Sequence, residues 1–122
     1  MLVVVDREKV IDEVVLKGLD DWVMLVEVES VLRRATPEAR PDQLVAEAVD
    51  LIETMSSEGL VEVGDVREDV GGFVPWKVAP AEAAAQIASA WRSLGHDLEM
   101  GDICWLSNTA AGNERARQVS GA

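Results

Sequence analysis

Residues 52–66, IETMSSEGLVEVGDV, decide the fold class that the sequence predicts. The first half carries apolar residues at helical spacing and leads into Gly59, and an alternating segment follows that glycine. Glycine commonly stands just past the end of a helix, and apolar–polar alternation is typical of a half-buried strand. We therefore predict a helix that ends at Gly59 and passes directly into a strand.

Three segments have the apolar periodicity of amphipathic helices. They are residues 6–18, with Asp6 as a plausible N-cap, residues 42–59, where Asp42 can cap, and residues 80–95. The stripe of the helix at 42–59 consists of Leu44, Ala48, Leu51, Ile52 and Met55. These helices are predicted to bury one face each and to leave the other in solvent.

Residues 22–29 fit two interpretations. The alternation at 26–29 is typical of a strand. Acidic residues before this segment, and Arg33 and Arg34 after it, suit the two ends of a helix macrodipole. We favour a second helix here, and the strand stays as the alternative.

Two strands and a polar loop are predicted after Gly59. LVEV at 60–63 and FVPWKV at 73–78 are the strands, and GDVREDVGG at 64–72 is the loop between them. The predicted buried face of this hairpin consists of Val61, Val63, Val74, Trp76 and Val78. Pro75 has no N–H to donate, so the second strand is expected at a sheet edge.

The order helix, helix, helix, strand, wing, strand over residues 6–78 resembles the winged helix-turn-helix fold, through LIETMSSEGLVEVGDV and GGFVPWKV. We therefore expect an α+β, mainly α, single domain over 1–122, with a three-helix winged-helix-like core and a two-stranded hairpin. An additional C-terminal helix and a docking segment follow at 80–106. Residues 109–122 look like a flexible tail.

The charge of the chain argues against a nucleic-acid partner. It carries 11 Lys and Arg against 23 Asp and Glu, a net charge of −12. The winged-helix resemblance implies that the third helix enters the major groove, yet residues 42–59 contain acidic side chains and no Lys or Arg. Carboxylates beside phosphates oppose binding, whereas cations favour it through counterion release. We therefore expect a winged-helix-like fold that does not bind DNA through its third helix.

A protein-binding surface for a basic partner is the functional site that the sequence indicates. The candidate carboxylates belong to the third helix and the wing, with Trp76 as an aromatic anchor. These candidates are Glu47, Asp50, Glu53, Asp65, Glu68, Asp69 and Trp76. The competing interpretation is an ordinary solvated helix face and a core tryptophan.

In general character, the chain resembles small acidic bacterial toxin-immunity proteins. The resemblance lies in size, acidity and the lack of visible catalytic residues, and it carries over no residue role. It implies an inhibitor that binds and occludes a basic effector such as a nuclease toxin. The alternatives are a winged-helix transcriptional regulator and an adaptor that forms a homodimer.

Catalytic and metal-binding residues are sparse. His96 and Cys104, the only histidine and the only cysteine, lie in the acidic segment GHDLEMGDIC. Structural zinc sites usually show two close pairs of Cys or His, and this segment has one of each. We expect no metal, no cofactor and no enzymatic activity; a small enzyme that uses His96 is the rival interpretation.

The sequence also predicts a cytoplasmic protein with no membrane partner. One cysteine forms no intrachain disulfide, which suits a reducing compartment. The first residues, MLVVVDREK, are too short for a signal peptide and carry no basic leader. No apolar run approaches the roughly 18–20 residues that span a bilayer.

Overall fold

A computed structural model describes residues 6–121 of the chain. Residues 1–5, on which part of the signal-peptide expectation rests, and Ala122 lie outside the described residues. The described chain is α+β and mainly helical, as predicted. Its helices are α1 (Arg7–Lys17), α2 (Leu25–Ala35), α3 (Pro41–Ser57), α4 (Pro80–Arg92) and α5 (Ala110–Ser120). Its strands are β1 (Val23–Met24), β2 (Val61–Arg67), β3 (Gly72–Pro75) and β4 (Trp105–Asn108).

Helix α1 forms where its apolar spacing predicts it. The Asp6 carboxylate accepts a hydrogen bond from the Lys9 backbone N–H at 3.0 Å, so Asp6 is the N-cap. The buried face of α1 consists of Val10, Ile11, Val14 and Val15. This face packs against α2 and α5 and forms one wall of the core.

The favoured helix is confirmed from Leu25 onward, so the interpretation of the alternation at 26–29 as a strand is wrong, and a strand forms only just before it. Val23 and Met24 form the short strand β1, and α2 begins immediately afterwards at Leu25. The Met24 backbone N–H donates to Glu27 Oε1 at 3.0 Å, which satisfies a free N–H at the helix start. The strand ends after two residues because the following backbone enters this capped helical turn.

Helix α3 starts earlier than predicted. Pro41 occupies its first position and Arg40 is the N-cap, so the prediction of Asp42 as the cap is wrong. Proline suits a first helical position, where its missing N–H has no intrahelical partner to lose. The helix ends at Ser57, and Gly59 follows with a φ of +74°, the left-handed conformation expected of a terminating glycine.

The predicted hairpin is part of a larger antiparallel sheet with the strand order β1-β4-β2-β3. Strand β2 is shared between two neighbours. Residues 61–64 pair with β4, whereas residues 64–67 pair with β3. The expectation of only two strands is wrong, because β4 returns from the C-terminal segment and lies between β1 and β2.

The turn of the hairpin is shorter than predicted. Strand β2 continues through Gly64 to Arg67, so the loop expected at 64–72 shrinks to a single 3-10 turn at Glu68–Val70. Strand β3 lies at the edge of the sheet, as Pro75 predicts. Of the acidic residues of the hairpin, Asp65 therefore lies on a paired strand, whereas Glu68 and Asp69 lie in the turn.

The segment expected to be a flexible tail forms helix α5 instead. Thr109 caps it by accepting the Gly112 N–H at 3.1 Å, and Ala116 is fully buried. Arg115 Nε donates to Asp12 Oδ1 of α1 at 2.8 Å. The tail prediction is wrong over Ala110–Ser120, because small residues let this weakly apolar helix pack against α1 and approach the Leu60 carbonyl just before β2.

The core lies between the helices and one face of the sheet. Its largest fully buried side chains include Leu25, Leu51, Ile52, Ile87 and Leu106. Burying such side chains stabilises the fold by roughly 1.5–3 kcal/mol each. Within residues 6–121, none of the helices has the length and apolar character needed to cross a lipid bilayer.

Gly112 tests the docking of α5. A Cβ at this position would clash with the Leu60 carbonyl, whose backbone cannot move aside. We expect Gly112→Ala to lower the free energy of unfolding by about 1–3 kcal/mol, although alanine is the better helix former. Urea unfolding measures the change. Ala111→Ser, at an exposed neighbour, is the control, and an increase in stability for Gly112→Ala would contradict the close approach.

Candidate protein-binding site

The three candidate carboxylates of α3 do not form one free stripe. Asp50 is exposed and accepts from Arg7 Nη2 at 2.9 Å, so α1 partly neutralises it. Glu47 and Glu53 are half-buried and form no ion pair among the described residues. Residues three positions apart on a helix point about 60° away from each other. Glu47 and Glu53, which are two such steps apart, therefore point about 120° apart.

The candidate carboxylates of the hairpin are all exposed. Asp65 lies on β2, and Glu68 and Asp69 belong to the 3-10 turn. Arg67 binds Asp69 through two hydrogen bonds, Nη2–Oδ2 at 2.6 Å and Nε–Oδ1 at 3.1 Å. Within residues 6–121 Asp65 and Glu68 form no ion pair, so they supply most of the free negative charge of the hairpin.

The acidic residues of α3 and those of the hairpin lie on different elements. Glu47, Asp50 and Glu53 belong to α3, Asp65 belongs to β2, and Glu68 and Asp69 belong to the 3-10 turn. Helix α3 and β2 are in contact with each other. One binding surface that spans both sets stays a prediction.

Trp76, the predicted aromatic anchor, lies between the core and solvent. It is half-buried, and its backbone N–H donates to the Val63 carbonyl at 3.0 Å just beyond β3. Part of its surface lines an open groove of about 400 Å³, with Val61 and Pro80 among the other walls. Lys77 follows with a φ of +58°, which turns the chain from β3 toward α4. The groove can accommodate an apolar group, and Trp76 also has a packing role.

An exposed tryptophan that the sequence analysis did not select lies beside the hairpin. Trp22 is 36% exposed, and its Cη2 lies 3.3 Å from the position of a Cβ built on Gly72. Asp20 and Asp21 precede it and are exposed. We call Asp20, Asp21 and Trp22, together with hairpin residues 65–72, the hairpin surface. Two acids before a tryptophan, at the start of the predicted second helix, were the available sequence signal.

Most cations of the chain are already neutralised by its own carboxylates. Seven of the eight arginines form ion pairs, namely Arg7, Arg33, Arg34, Arg40, Arg67, Arg115 and Arg117. Among the described residues, Lys9, Lys17, Lys77 and Arg92 form none, and they are spread over several elements. Residues 6–121 therefore contain no cluster of free cations to oppose the excess of carboxylates.

Three potential metal ligands converge in the loop between α4 and β4. One ligand atom each from His96, Glu99 and Asp102 lies within 4.8 Å of the others. His96 Nδ1 lies 2.7 Å from the Asp97 carbonyl, and this hydrogen bond, followed by the nearby carboxylates, raises the pKa of His96. Asp102 also accepts the Glu99 N–H at 2.9 Å. These groups can hold a divalent cation, but hydrogen bonds within the loop already explain their positions.

Cys104 stands apart from this cluster. It is fully buried beside the sheet, and burial, with a smaller contribution from the Asp65 charge, raises the pKa of its thiol to about 12. A thiol with this pKa carries almost no thiolate near neutral pH, and the thiolate is the nucleophile. The residue behaves as a small apolar side chain of the core.

Comparisons with known proteins give no relative from which a role could be transferred. No family model, no curated protein and no solved structure matches the chain. Function is therefore argued from the charges and shape of the surface, because folds are reused for different functions.

Cys104 also provides a test of the packing beneath the hairpin. We expect the native protein to react with a thiol reagent at pH 8 at least about a hundredfold more slowly than the urea-unfolded chain, because the buried thiol resists ionisation. Absorbance of the released chromophore measures the rate. Similar rates for the folded and unfolded chains would contradict the burial of Cys104 in the core.

Proposed function

We propose that the protein is an acidic protein-binding module of the immunity type. It binds a basic effector, such as a nuclease toxin, and occludes the surface with which that effector works. The observation that carries the proposal is the pairing of the arginines, which leaves free carboxylates without a cationic cluster among residues 6–121. A surface with this charge attracts cationic proteins and repels phosphate backbones.

The hairpin surface is the part of the molecule that we propose meets the partner. The contact of Trp22 with Gly72 supports this choice, because it joins two acidic segments around one exposed aromatic ring. Asp65 and Glu68 supply steering charge, and the groove beside Trp76 offers a second apolar contact. Inhibitory interfaces bury about 800 Å² on each partner. Occlusion by this contact needs no catalytic group.

We also infer a variant of the winged helix-turn-helix arrangement for residues 7–75. The packing of α1, α2 and α3, followed by the β2–β3 hairpin, supports this interpretation. The insertion of β4 between β1 and β2 is the departure from the expected arrangement. A DNA-reading use would need a cationic third helix, which α3 does not offer.

Charge reversal on the hairpin surface tests the proposed site. We expect the wild-type protein to capture a basic protein in stoichiometric amount from the source cell at low salt, and to release it at about 0.5 M salt, where screening is strong. The double variant Asp65→Lys with Glu68→Lys should bind that protein at least about tenfold more slowly. Surface plasmon resonance measures the association rate.

The matched control carries Glu38→Lys and Asp97→Lys, two exposed acids that belong neither to the hairpin surface nor to the groove beside Trp76. It changes the net charge by the same amount, so a uniform electrostatic effect slows both variants equally. Equal slowing would remove the hairpin from the interface. Capture of acidic or neutral proteins only, unaffected by salt, would contradict the proposed partner chemistry.

DNA binding separates the module from a transcriptional regulator. We expect no electrophoretic shift of a 30-base-pair duplex at low salt with protein in the micromolar range, because the carboxylates of α3 and the hairpin repel phosphates. A tight protein–DNA complex whose affinity falls steeply with salt would show that the molecule has a cationic face that binds DNA. The regulator would then replace the inhibitor as the best interpretation.

A further inference from the structure

We propose that a pocket beside Trp22 binds an arginine side chain of the partner protein. This inference rests on the proposed function and names the chemistry of one contact. The pocket has a volume of about 360 Å³ and lies between the end of α1, the loop before β1, the end of β4 and the start of α5. The residues that matter for its chemistry are Asp20, Asp21, Trp22, Ser107, Asn108 and Asn113.

Trp22 supplies the aromatic wall of the pocket. Its Cη2 and Cζ2 lie 3.3 and 3.4 Å from the position of a Cβ on Gly72, so the far edge of the ring lies near the start of β3, and the residue stays 36% exposed. Cations over an indole face gain about 0.5–2 kcal/mol from the ring quadrupole.

The carboxylates of the pocket lack a cation of their own. Asp20 and Asp21 are exposed, and neither forms an ion pair within residues 6–121. The Trp22 backbone N–H donates to Asp21 Oδ1 at 2.8 Å, which orients that carboxylate and leaves its second oxygen as an acceptor. Lys17, the nearest cation along the chain, pairs with neither of them in the described structure.

The polar wall contributes one fixed acceptor. The Asn108 side-chain Nδ2 donates to the Val15 carbonyl oxygen at 2.9 Å and to Asn113 Oδ1 at 3.1 Å. Its Oδ1 lies against Gly18, where the lack of a side chain permits the close approach. The Asn113 amide and the Ser107 hydroxyl also line the pocket and can donate. The Asp20 and Asp21 carboxylates are therefore the groups that favour a cationic ligand over an anion.

Arginine is the occupant that fits all three walls. Its guanidinium is planar and stacks on an indole, has five N–H donors and no acceptor, and pairs with carboxylates through two parallel hydrogen bonds. Lysine offers a compact charge without the stacking plane. Because the proposed partner is basic, its arginines are the complementary groups for a pocket that combines an aromatic face with unpaired carboxylates.

The four tryptophans provide an internal control for the test. Each contributes one indole N–H signal in a ¹⁵N-labelled sample, so Trp22 can be compared with Trp76, Trp91 and Trp105 in one titration. The probe is blocked hexaarginine peptide, with blocked hexalysine as its match in charge. We expect a saturable shift of the Trp22 signal alone, with hexalysine binding several-fold more weakly. Equal shifts of all four signals, or equal affinity for hexalysine, would overturn the assignment.

Variants separate the charges from the ring. Fluorescence anisotropy of a labelled hexaarginine should show about tenfold weaker binding for Asp20→Asn with Asp21→Asn. The control, Glu38→Gln with Glu82→Gln, should stay near wild type. Trp22→Phe should keep more affinity than Trp22→Leu, because phenylalanine retains a π face. Equal binding by the Asp20, Asp21 variant and its control would contradict the pocket.

Failure of this inference can be distinguished from failure of the proposed function. If the Trp22→Leu protein captures the basic partner as well as wild type does, the pocket is not part of the interface, and the inhibitor proposal stands. If hexaarginine binds at Trp22 but no basic protein is captured from the cell, the pocket chemistry stands, and the inhibitor proposal fails.

Discussion

The position of β2 between β3 and β4 is the constraint on which the rest of the fold depends. Its first residues pair with β4 and its last with β3, and both partners meet it at Gly64. A Cβ there would clash with the backbone of β3, so only glycine fits this crossing. Leu60, just before β2, accepts the Thr109 N–H at 3.0 Å and so fixes the start of α5. Displacing β2 would therefore disturb the hairpin, the C-terminal helix and the Trp22 pocket together.

Sequence reasoning succeeds for elements whose structure is encoded locally. Helices α1 and α4 carry apolar residues at helical spacing, and Gly59 marks the end of α3. Strand β4 and helix α5 escape this reasoning. Strand β4 is only four residues long, and it forms because it pairs with strands that are distant in the sequence. Helix α5 buries mainly small residues, so its apolar pattern is weak. Their stability comes from tertiary packing, which overrides weak local preference.

The candidate site was predictable in composition and not in geometry. The acidic character of α3 and of the hairpin follows from the sequence alone. The pairing of Asp50 with Arg7 joins residues 43 positions apart, and no spacing rule encodes it. No spacing rule encodes the position of Trp22 either. This residue directly precedes β1, at one edge of the sheet, and its neighbour Gly72 begins β3, at the other edge. Long-range contacts thus decide which carboxylates are free and which aromatic ring they surround.

Surface ion pairs of this kind stabilise a fold only slightly, typically by 0–1 kcal/mol each. They also shape the electrostatic field, because each pair neutralises one arginine and one carboxylate locally and leaves the unpaired carboxylates, which outnumber the unpaired cations, to set its sign. The remaining field is anionic around the hairpin surface. It falls off over roughly 10 Å at 0.1 M salt, so it acts on the approach of a partner more than on the packed core.

Paramagnetic relaxation by charged soluble probes tests the central claim most directly, because it compares the local potential at each backbone amide without needing the partner. We expect a cationic nitroxide to relax the amides of residues 18–22 and 65–72 more strongly than an anionic nitroxide of the same size. Neutral behaviour of these segments, together with a contiguous region elsewhere that concentrates the anionic probe, would contradict the claim that the molecule presents an anionic surface to a basic protein.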